Sequence, residues 1–318
     1  MKIIYNDIFL EHETGNHPEN KNRLIAFGDI EQSTIIDGTS YLSLVHNGQY
    51  IADIQEKCNL DIPLDEDTFC TGKSFEVAVQ AVGASIMASH SGDFALIRPP
   101  GHHSFPGKAS GFCLFNNIAI AVQNLVNEGK KVAILDIDGH FGDGTSKIFY
   151  NTDKVLYMSM HQFPAFPGTG YWEDIGIGAG EGYNINIPLP PYSGDDIFLD
   201  AFNTFLPVIR CFNPDVVAVS AGFDAHKSDM LLQLNVSVDS YYEIGKVLQK
   251  NFENIFAVLE GGYNPEVLVK CVENFIAGIN YEEKKHSETL TESDVKVFQD
   301  YENYCNHLIV KLRTYWDF

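Results

Sequence analysis

Positive charge is scarce in this chain: 21 lysines and arginines stand against 43 aspartates and glutamates, for a formal net charge of -22 over 318 residues. Binding to a nucleic-acid backbone needs clustered basic residues, so direct nucleic-acid contact is not expected. An acidic surface can, however, steer a cationic ligand. No apolar run of about 18 residues occurs, so no membrane span is expected. The opening MKIIYNDIFLEHETG turns acidic too soon for a secretory signal. The six cysteines (Cys58, Cys70, Cys113, Cys211, Cys271 and Cys305) are scattered and form no CxxC pair. That spacing suits reduced thiols better than a disulfide framework or a cysteine-based zinc site. The expectation is an acidic cytoplasmic enzyme without a membrane anchor, and a homo-oligomer is compatible with it.

What the chain does have is apolar material. It is 45% hydrophobic and 12% aromatic, enough for a sizeable core and too much for wholesale disorder. Five apolar runs end in polar or glycine-rich residues: FALIRPPGHH (94–103), KVAILDIDGH (131–140), VLYMSMHQF (155–163), VVAVSAGFDAH (216–226) and IFAVLEGGY (255–263). YNINIPLP (183–190) reads as a further strand, and helical segments are expected over 74–90, 117–128, 196–211 and 238–252. Continuous apolar strands alternating with helices predict an α/β fold, its parallel sheet covered on both faces. Residues 1–280 read as one domain. Residues 281–318, a polar connector and an aromatic helix, read as packed on it or extending it. No internal repeat or low-complexity segment is present.

The chemically interesting residues cluster at the C-terminal ends of the strands, the edge where open α/β sheets bind ligands. Asp138 and His140, spaced i and i+2, are expected to point the same way from an extended segment. Asp224 in AGFDAH supplies a third donor. Three protein ligands and one open position describe a catalytic metal site, and O/N donors without thiolate favour zinc, with Fe2+ or another divalent ion also fitting. The plain alternative is an acidic strand end satisfied by backbone N–H groups and water. His102 and His103, in tandem on a Pro/Gly turn, are candidates for proton transfer, with Asp136 and Asp143 as the carboxylates that orient them. Tyr263, behind two glycines in LEGGY, is placed to donate to an oxyanion.

Taken together and in order, RPPGHH, GFCLFNN, DIDGHFGDGT, SMHQFPAFPGTG, SAGFDAH and LEGGY resemble the zinc-dependent histone deacetylase superfamily. That group includes acetylpolyamine amidohydrolases and acetoin-utilisation proteins, and the resemblance spans roughly residues 15–280. It implies an arginase/deacetylase-like three-layer αβα fold with a mostly parallel central sheet. It makes Asp138, His140 and Asp224 the zinc ligands, and His102 and His103 a dyad backed by Asp136 and Asp143 respectively. Tyr263 becomes the carbonyl-polarising group, while Gly111, Phe112 and Phe166 wall a narrow acyl-lysine tunnel. It further implies two structural potassium sites. One uses Asp136, Asp138, His140, Ser159 and Met160, and the other Phe149, Thr152, Val155 and Tyr183. HPENKNR places Arg23 near the foot of the pocket, and the 57–73 loop is expected to shape its rim.

Three departures mark this chain. Phe141 stands where the family has a second histidine. HKSDMLLQ replaces the usual segment after Asp224. Leu231 falls where one type of acetylpolyamine deacetylase has a glutamate selecting cationic substrates, which leans the reading toward acyl-lysine. The expected activity is metal-dependent removal of acetyl or other acyl groups from an amine. The partner is an acylated lysine side chain or an acylated small amine. An acetylpolyamine or other small-acetamide deacetylase and a non-catalytic acyl-ligand binder are the alternatives. Two-metal arginase chemistry is disfavoured, because the extra carboxylate ligands are not evident.

Overall fold

The apolar runs form a seven-stranded sheet in the computed structural model, which describes residues 1–318. The strands are β1 (Ile3–Ile4), β2 (Phe94–Ala95), β3 (Val132–Asp136), β4 (Val155–Gln162), β5 (Asn184–Leu189), β6 (Val216–Ala221) and β7 (Ile255–Leu259). They lie in the order β1-β2-β7-β6-β3-β4-β5, and every neighbouring pair is parallel. All residues of β3 to β7 are buried, as a sheet sandwiched between helices requires.

The helices are α1 (Asn22–Ile25), α2 (Gly48–Asn59), α3 (Ser74–Ser91), α4 (Asn117–Asn127), α5 (Asp143–Phe149), α6 (Asp195–Phe212), α7 (Val238–Asn251), α8 (Pro265–Ile279) and α9 (Val295–Leu312). Of these, α3 packs on β2 and β7, α4 on β3 and β6, and α6 on β4 and β5, completing a three-layer α/β architecture. Helix α6 shows the logic in its sequence: Phe198, Phe202, Phe205 and Ile209 recur at three- and four-residue spacing and are all buried. Asp195 and Asp196 occupy its first turn, where carboxylates complement the helix dipole. No helix is long and apolar enough to cross a membrane.

Two strand expectations change. The 94–103 run pairs in the sheet only at Phe94 and Ala95, and the chain then leaves for the turn carrying His102 and His103. Strand β3 stops at Asp136, so Asp138 and His140 are not set by strand alternation. The Asp138 amide donates to Asp136 Oδ1 (3.2 Å) and the His140 amide to Asp138 Oδ1 (2.8 Å), two successive side-chain-to-backbone turns that curl the segment over the sheet edge. Helices α1, α2, α5 and α8 were not anticipated, and residues 57–59 of the expected rim loop belong to the last turn of α2.

Residues 281–318 run along the body of the molecule. Asp195 Oδ2 accepts from the Thr291 amide (2.8 Å), Asp196 Oδ2 from the Ser293 amide (2.9 Å), and Asn274 Oδ1 from the amides of Lys285 and His286. Helix α9 packs on α6 and β5 and adds Tyr301, Cys305, Leu308 and Leu312 to the contiguous core. Beyond it the chain turns back, and Trp316 Nε1 donates to Gly182 O (2.7 Å).

Candidate active site

Asp138, His140 and Asp224 converge where β3 and β6 end side by side, with potential ligand atoms all within 4.8 Å of one another and all three residues buried. His140 Nδ1 lies 2.7 Å from Asp224 Oδ2 and 3.4 Å from Asp138 Oδ1. Backbone amides hold the carboxylates: Gly139 N–H donates to Asp224 Oδ1 and Gly261 N–H to Asp138 Oδ2, each at 2.7 Å. Those bonds satisfy part of the acids' capacity but do not neutralise them.

The electrostatics call for a cation. Burial alone would strip the charge from His140, yet Asp224 and Asp138 pull its pKa up to about 10. Burial, together with the neighbouring Asp138, pushes Asp224 up to about 7. No lysine or arginine bonds to either acid, so the positive charge facing them in this arrangement comes from the imidazoles of His140 and of His102, whose Nε2 lies 3.9 Å from Asp138 Oδ1. Space is also reserved: a Cβ on Gly222 would lie 1.8 Å from Asp138 Oδ2, and one on Gly261 2.4 Å from Asp224 Oδ2. Two carboxylates and an imidazole in a tight, buried cluster fit a divalent ion of the zinc type.

The histidine dyad sits on the turn after β2, its rings 4.0 Å apart. His102 Nδ1 faces Asp136 Oδ2 at 3.2 Å, and Tyr157 Oη donates to the same oxygen at 2.9 Å. His103 Nδ1 faces Asp143 Oδ1 at 2.8 Å. The two rings differ electrically. Burial opposes charge on His102, but Asp138, Asp136 and Glu260 override it and hold its pKa well above the usual value. Burial pulls His103 down to about 4, helped by the charge of His102 and opposed by Asp143. His103, not His102, lines the cleft.

That cleft, about 470 Å3, is walled by Gly111, Phe112, Phe166, Leu231 and Tyr263, with His103 and His140 at its foot. The Phe166 ring meets the His103 ring edge-on at 5.1 Å, and Phe112 meets Tyr263 at 5.7 Å. A Cβ on Gly111 would strike His103 Cδ2 at 2.5 Å, so only glycine lets this wall close on the dyad. Phe112 itself takes a left-handed φ of 70°, a strained conformation for a non-glycine residue, and its amide donates to the buried Thr68 Oγ1 at 3.2 Å.

Arg23 is fully buried beneath Tyr263. Its guanidinium lies 5.0 Å from the ring centroid, and its Nε donates to Gly262 O at 2.7 Å. The other expected residues lie away from the cleft. Asp136 pairs with Ser159 across β3 and β4, with Met160 next along β4. Phe149, Thr152 and Val155 lie between the end of α5 and the start of β4, and Tyr183 just precedes β5.

Several site groups escaped the sequence reading. Glu260 is completely buried and accepts from the amides of Gly101 (2.7 Å) and His102 (3.0 Å), so it holds the dyad turn in place. Its acid was visible in LEGGY, but its partners lie some 160 residues away in the chain. The expected rim loop, 57–73, does reach the cleft: its Asp65, Glu66 and Asp67 line it beside Ser110 and make the rim acidic. Asp229 binds the Tyr263 amide at 2.6 Å. Arg98 and Arg23 both bond to buried Glu19, which ties the start of the chain to the LEGGY turn.

A parallel α/β sheet carrying a buried Asp-His-Asp cluster able to hold a metal ion, two carboxylate-backed histidines and a tyrosine around one cleft is the arrangement of a hydrolase of the deacetylase class. The chain belongs to the histone deacetylase family: the Histone deacetylase domain matches residues 17–279. A probable deacetylase of Archaeoglobus fulgidus is 37% identical over 292 residues, covering 83% of this chain and 81% of that protein. One of Methanothermobacter thermautotrophicus is 37% identical over 303 residues, covering 89% and 92%. Histone deacetylase 14, chloroplastic, of Arabidopsis thaliana is 32% identical over 332 residues, covering 90% and 78%. The crystal structure of the HDA15 HD domain superposes with a TM-score of 0.89 at 28% identity, covering 98% of both chains.

Proposed function

We propose that this protein removes acyl groups from the amine of an acylated lysine side chain, with water as the nucleophile. A zinc-type divalent ion held by Asp138, His140 and Asp224 supplies, when bound, Lewis acidity toward the amide oxygen and a more acidic water. The observation that carries the reading is the geometry of the dyad: His103, not His102, faces the cleft and has Nδ1 anchored on Asp143 at 2.8 Å, and burial, helped by the charge of His102, pulls its pKa down to about 4. That anchoring leaves Nε2 to take the proton of the attacking water and later to return it to the departing amine nitrogen. His102, raised by Asp138, Asp136 and Glu260 against its burial, supplies fixed positive charge behind the reacting centre.

Tyr263 stays protonated, because burial pushes its pKa well above the usual value against the pull of Arg23. Its hydroxyl is the donor for the oxyanion of the tetrahedral intermediate. Phe112 and Phe166 enclose the methylene stem of the lysine, an apolar chain that such walls bury well. The amide C–N bond breaks, and a carboxylate and a free amine leave.

A second substrate reading, an acylated polyamine, is favoured by the rim carboxylates Asp65, Glu66 and Asp67, which complement a further positive charge on the substrate. Leu231 favours the first, since it places an apolar group where a cation would sit. Comparing kcat/KM on an acetyl-lysine peptide, a longer-acyl peptide and an acetylated polyamine, before and after chelation and zinc, Fe2+ or cobalt reloading, decides between them. Preference for the polyamine would overturn the lysine reading, and no metal-dependent cleavage of any of them would overturn both.

Two structural potassium sites complete the proposal, one at Asp136, Asp138, His140, Ser159 and Met160, the other at Phe149, Thr152, Val155 and Tyr183. Buried Asn186 Oδ1, which has no hydrogen-bond partner and stands beside Ser159 in the β4–β5 register, supports a polar guest near the first. Residues 281–318 are read as part of the same folding unit as 1–280.

A further inference from the structure

The Tyr263 turn is gripped at nearly every backbone group. Gly261 N–H is held by Asp138 Oδ2 (2.7 Å), and the carbonyls of Glu260 and Gly262 by Arg23. Gly262, at a φ of 116°, makes a bend that other residues rarely adopt. The amide of Tyr263 itself donates to Asp229 Oδ2 at 2.6 Å. Asp229 comes from the segment after Asp224, where this chain carries its own sequence, HKSDMLLQ.

The other oxygen of the same carboxylate, Oδ1, accepts from the Leu231 amide at 3.1 Å, and the Asp229 amide donates to His226 O at 2.8 Å. A second tie joins the two loops, from Asn264 Nδ2 to Ser228 O at 3.0 Å. One half-buried carboxylate therefore bonds the backbone of two segments that line the cleft, the Tyr263 turn and the Leu231 rim. Asp229 touches no reacting atom and has no side-chain partner of its own.

We infer that Asp229 is a positioning residue that sets the reach of the Tyr263 hydroxyl by clamping the Tyr263 amide, and separately fixes the rim through Leu231. The inference rests on the deacetylase reading above and deepens it. Displacing a catalytic donor by about 1 Å costs on the order of 100-fold in rate, so loss of the clamp is expected to lower kcat by about 10- to 100-fold. The two bonds separate kinetically: the Tyr263 bond acts on kcat and the Leu231 bond on KM.

The test is a double-mutant cycle on the zinc-loaded full chain with an acetyl-lysine peptide, using Asp229→Ala, Tyr263→Phe and the pair. The expected result is a kcat loss from Asp229→Ala that nearly vanishes in the Tyr263→Phe background, while the KM change persists in both. Equal kcat losses in the two backgrounds, or none in either, would overturn the inference. Should Asp229→Ala fail to fold, Asp229→Asn keeps one acceptor and carries the same cycle. Should Tyr263→Phe be too slow to assay, a crystal structure of the Asp229 variant decides: a displaced 262–264 backbone supports the clamp, and an unmoved one refutes it. Inactivity of the wild-type chain on every substrate, by contrast, would strike the deacetylase reading itself.

Discussion

Gly222→Ala should silence the site without touching any of its ligands. Gly222 follows β6 directly, and its added Cβ would lie 1.8 Å from Asp138 Oδ2, 2.3 Å from Cγ and 2.5 Å from Cβ. Ordinary carbon–oxygen contact begins near 3.4 Å, so one of the two groups must retreat by more than 1 Å. The β6 backbone is locked between β3 and β7, which leaves the Asp138 carboxylate to move. Metal sites tolerate about 0.2 Å of error in ligand distance. Loss of a supporting partner alone costs roughly 10- to 100-fold in affinity, so displacing a ligand outright should cost at least about 100-fold. The overpacking adds roughly 1–3 kcal/mol of destabilisation. Zinc affinity is read by competition with a chromogenic chelator and folding by thermal melting. Gly48→Ala, whose Cβ meets nothing within 4 Å, serves as the control. A folded Gly222→Ala protein with wild-type zinc affinity would refute the placement of Asp138 as a ligand.

Three further outcomes are expected. Burial pushes Glu19 up, but Arg98, His12 and Arg23 override it and bring its pKa down from 4.5 to about 2. This contribution of ~3 kcal/mol is therefore present above pH 4.5 and lost as pH falls toward 2. The urea-unfolding difference between wild type and Glu19→Gln should accordingly shrink over that window, and a constant difference would contradict it. Asp143→Asn removes the charge behind His103 and should lower kcat by roughly 10- to 100-fold with KM unchanged; steady-state kinetics with unaltered kcat would dismiss the anchoring role. Deleting residues 281–318 strips Thr291, Ser293, Lys285 and His286 from Asp195, Asp196 and Asn274, removes the buried side chains of Tyr301, Leu308 and Leu312, and uncovers the faces of α6 and β5 on which α9 packs. At about 1.5–3 kcal/mol per buried apolar side chain, the shortened chain should be insoluble or melt far lower; an unchanged melting temperature would mark the segment as a separate appendage.

The sheet was legible because its strands are buried on both faces and so appear as uninterrupted apolar runs. Helices α4, α6 and α7 were legible from their periodicity, and α3, buried on most sides, as an alanine-rich segment between strands. Helix α2 was not, since GQYIADIQEKCN buries only Tyr50, Ile54 and Cys58 and its polar face hides the pattern. The Asp138, His140 and Asp224 cluster could be read from acids at strand ends, although the curl that unites them depends on side-chain-to-backbone bonds rather than on strand alternation. Glu260 and Asp229 could not be read. Each acts through backbone amides that are distant in sequence, and nothing local to either acid signals those partners. The rim acids were visible as residues, but only the path of the loop brings Asp65, Glu66 and Asp67 to the cleft.

The proposed chemistry requires one divalent ion seated among the cluster at the ends of β3 and β6. Anomalous diffraction from zinc-loaded crystals, measured on both sides of the zinc edge, tests this directly. The predicted map has a single strong peak within bonding distance of Asp138, His140 and Asp224, at the foot of the cleft lined by His103 and Tyr263. A peak elsewhere, or none at full zinc loading, would contradict it.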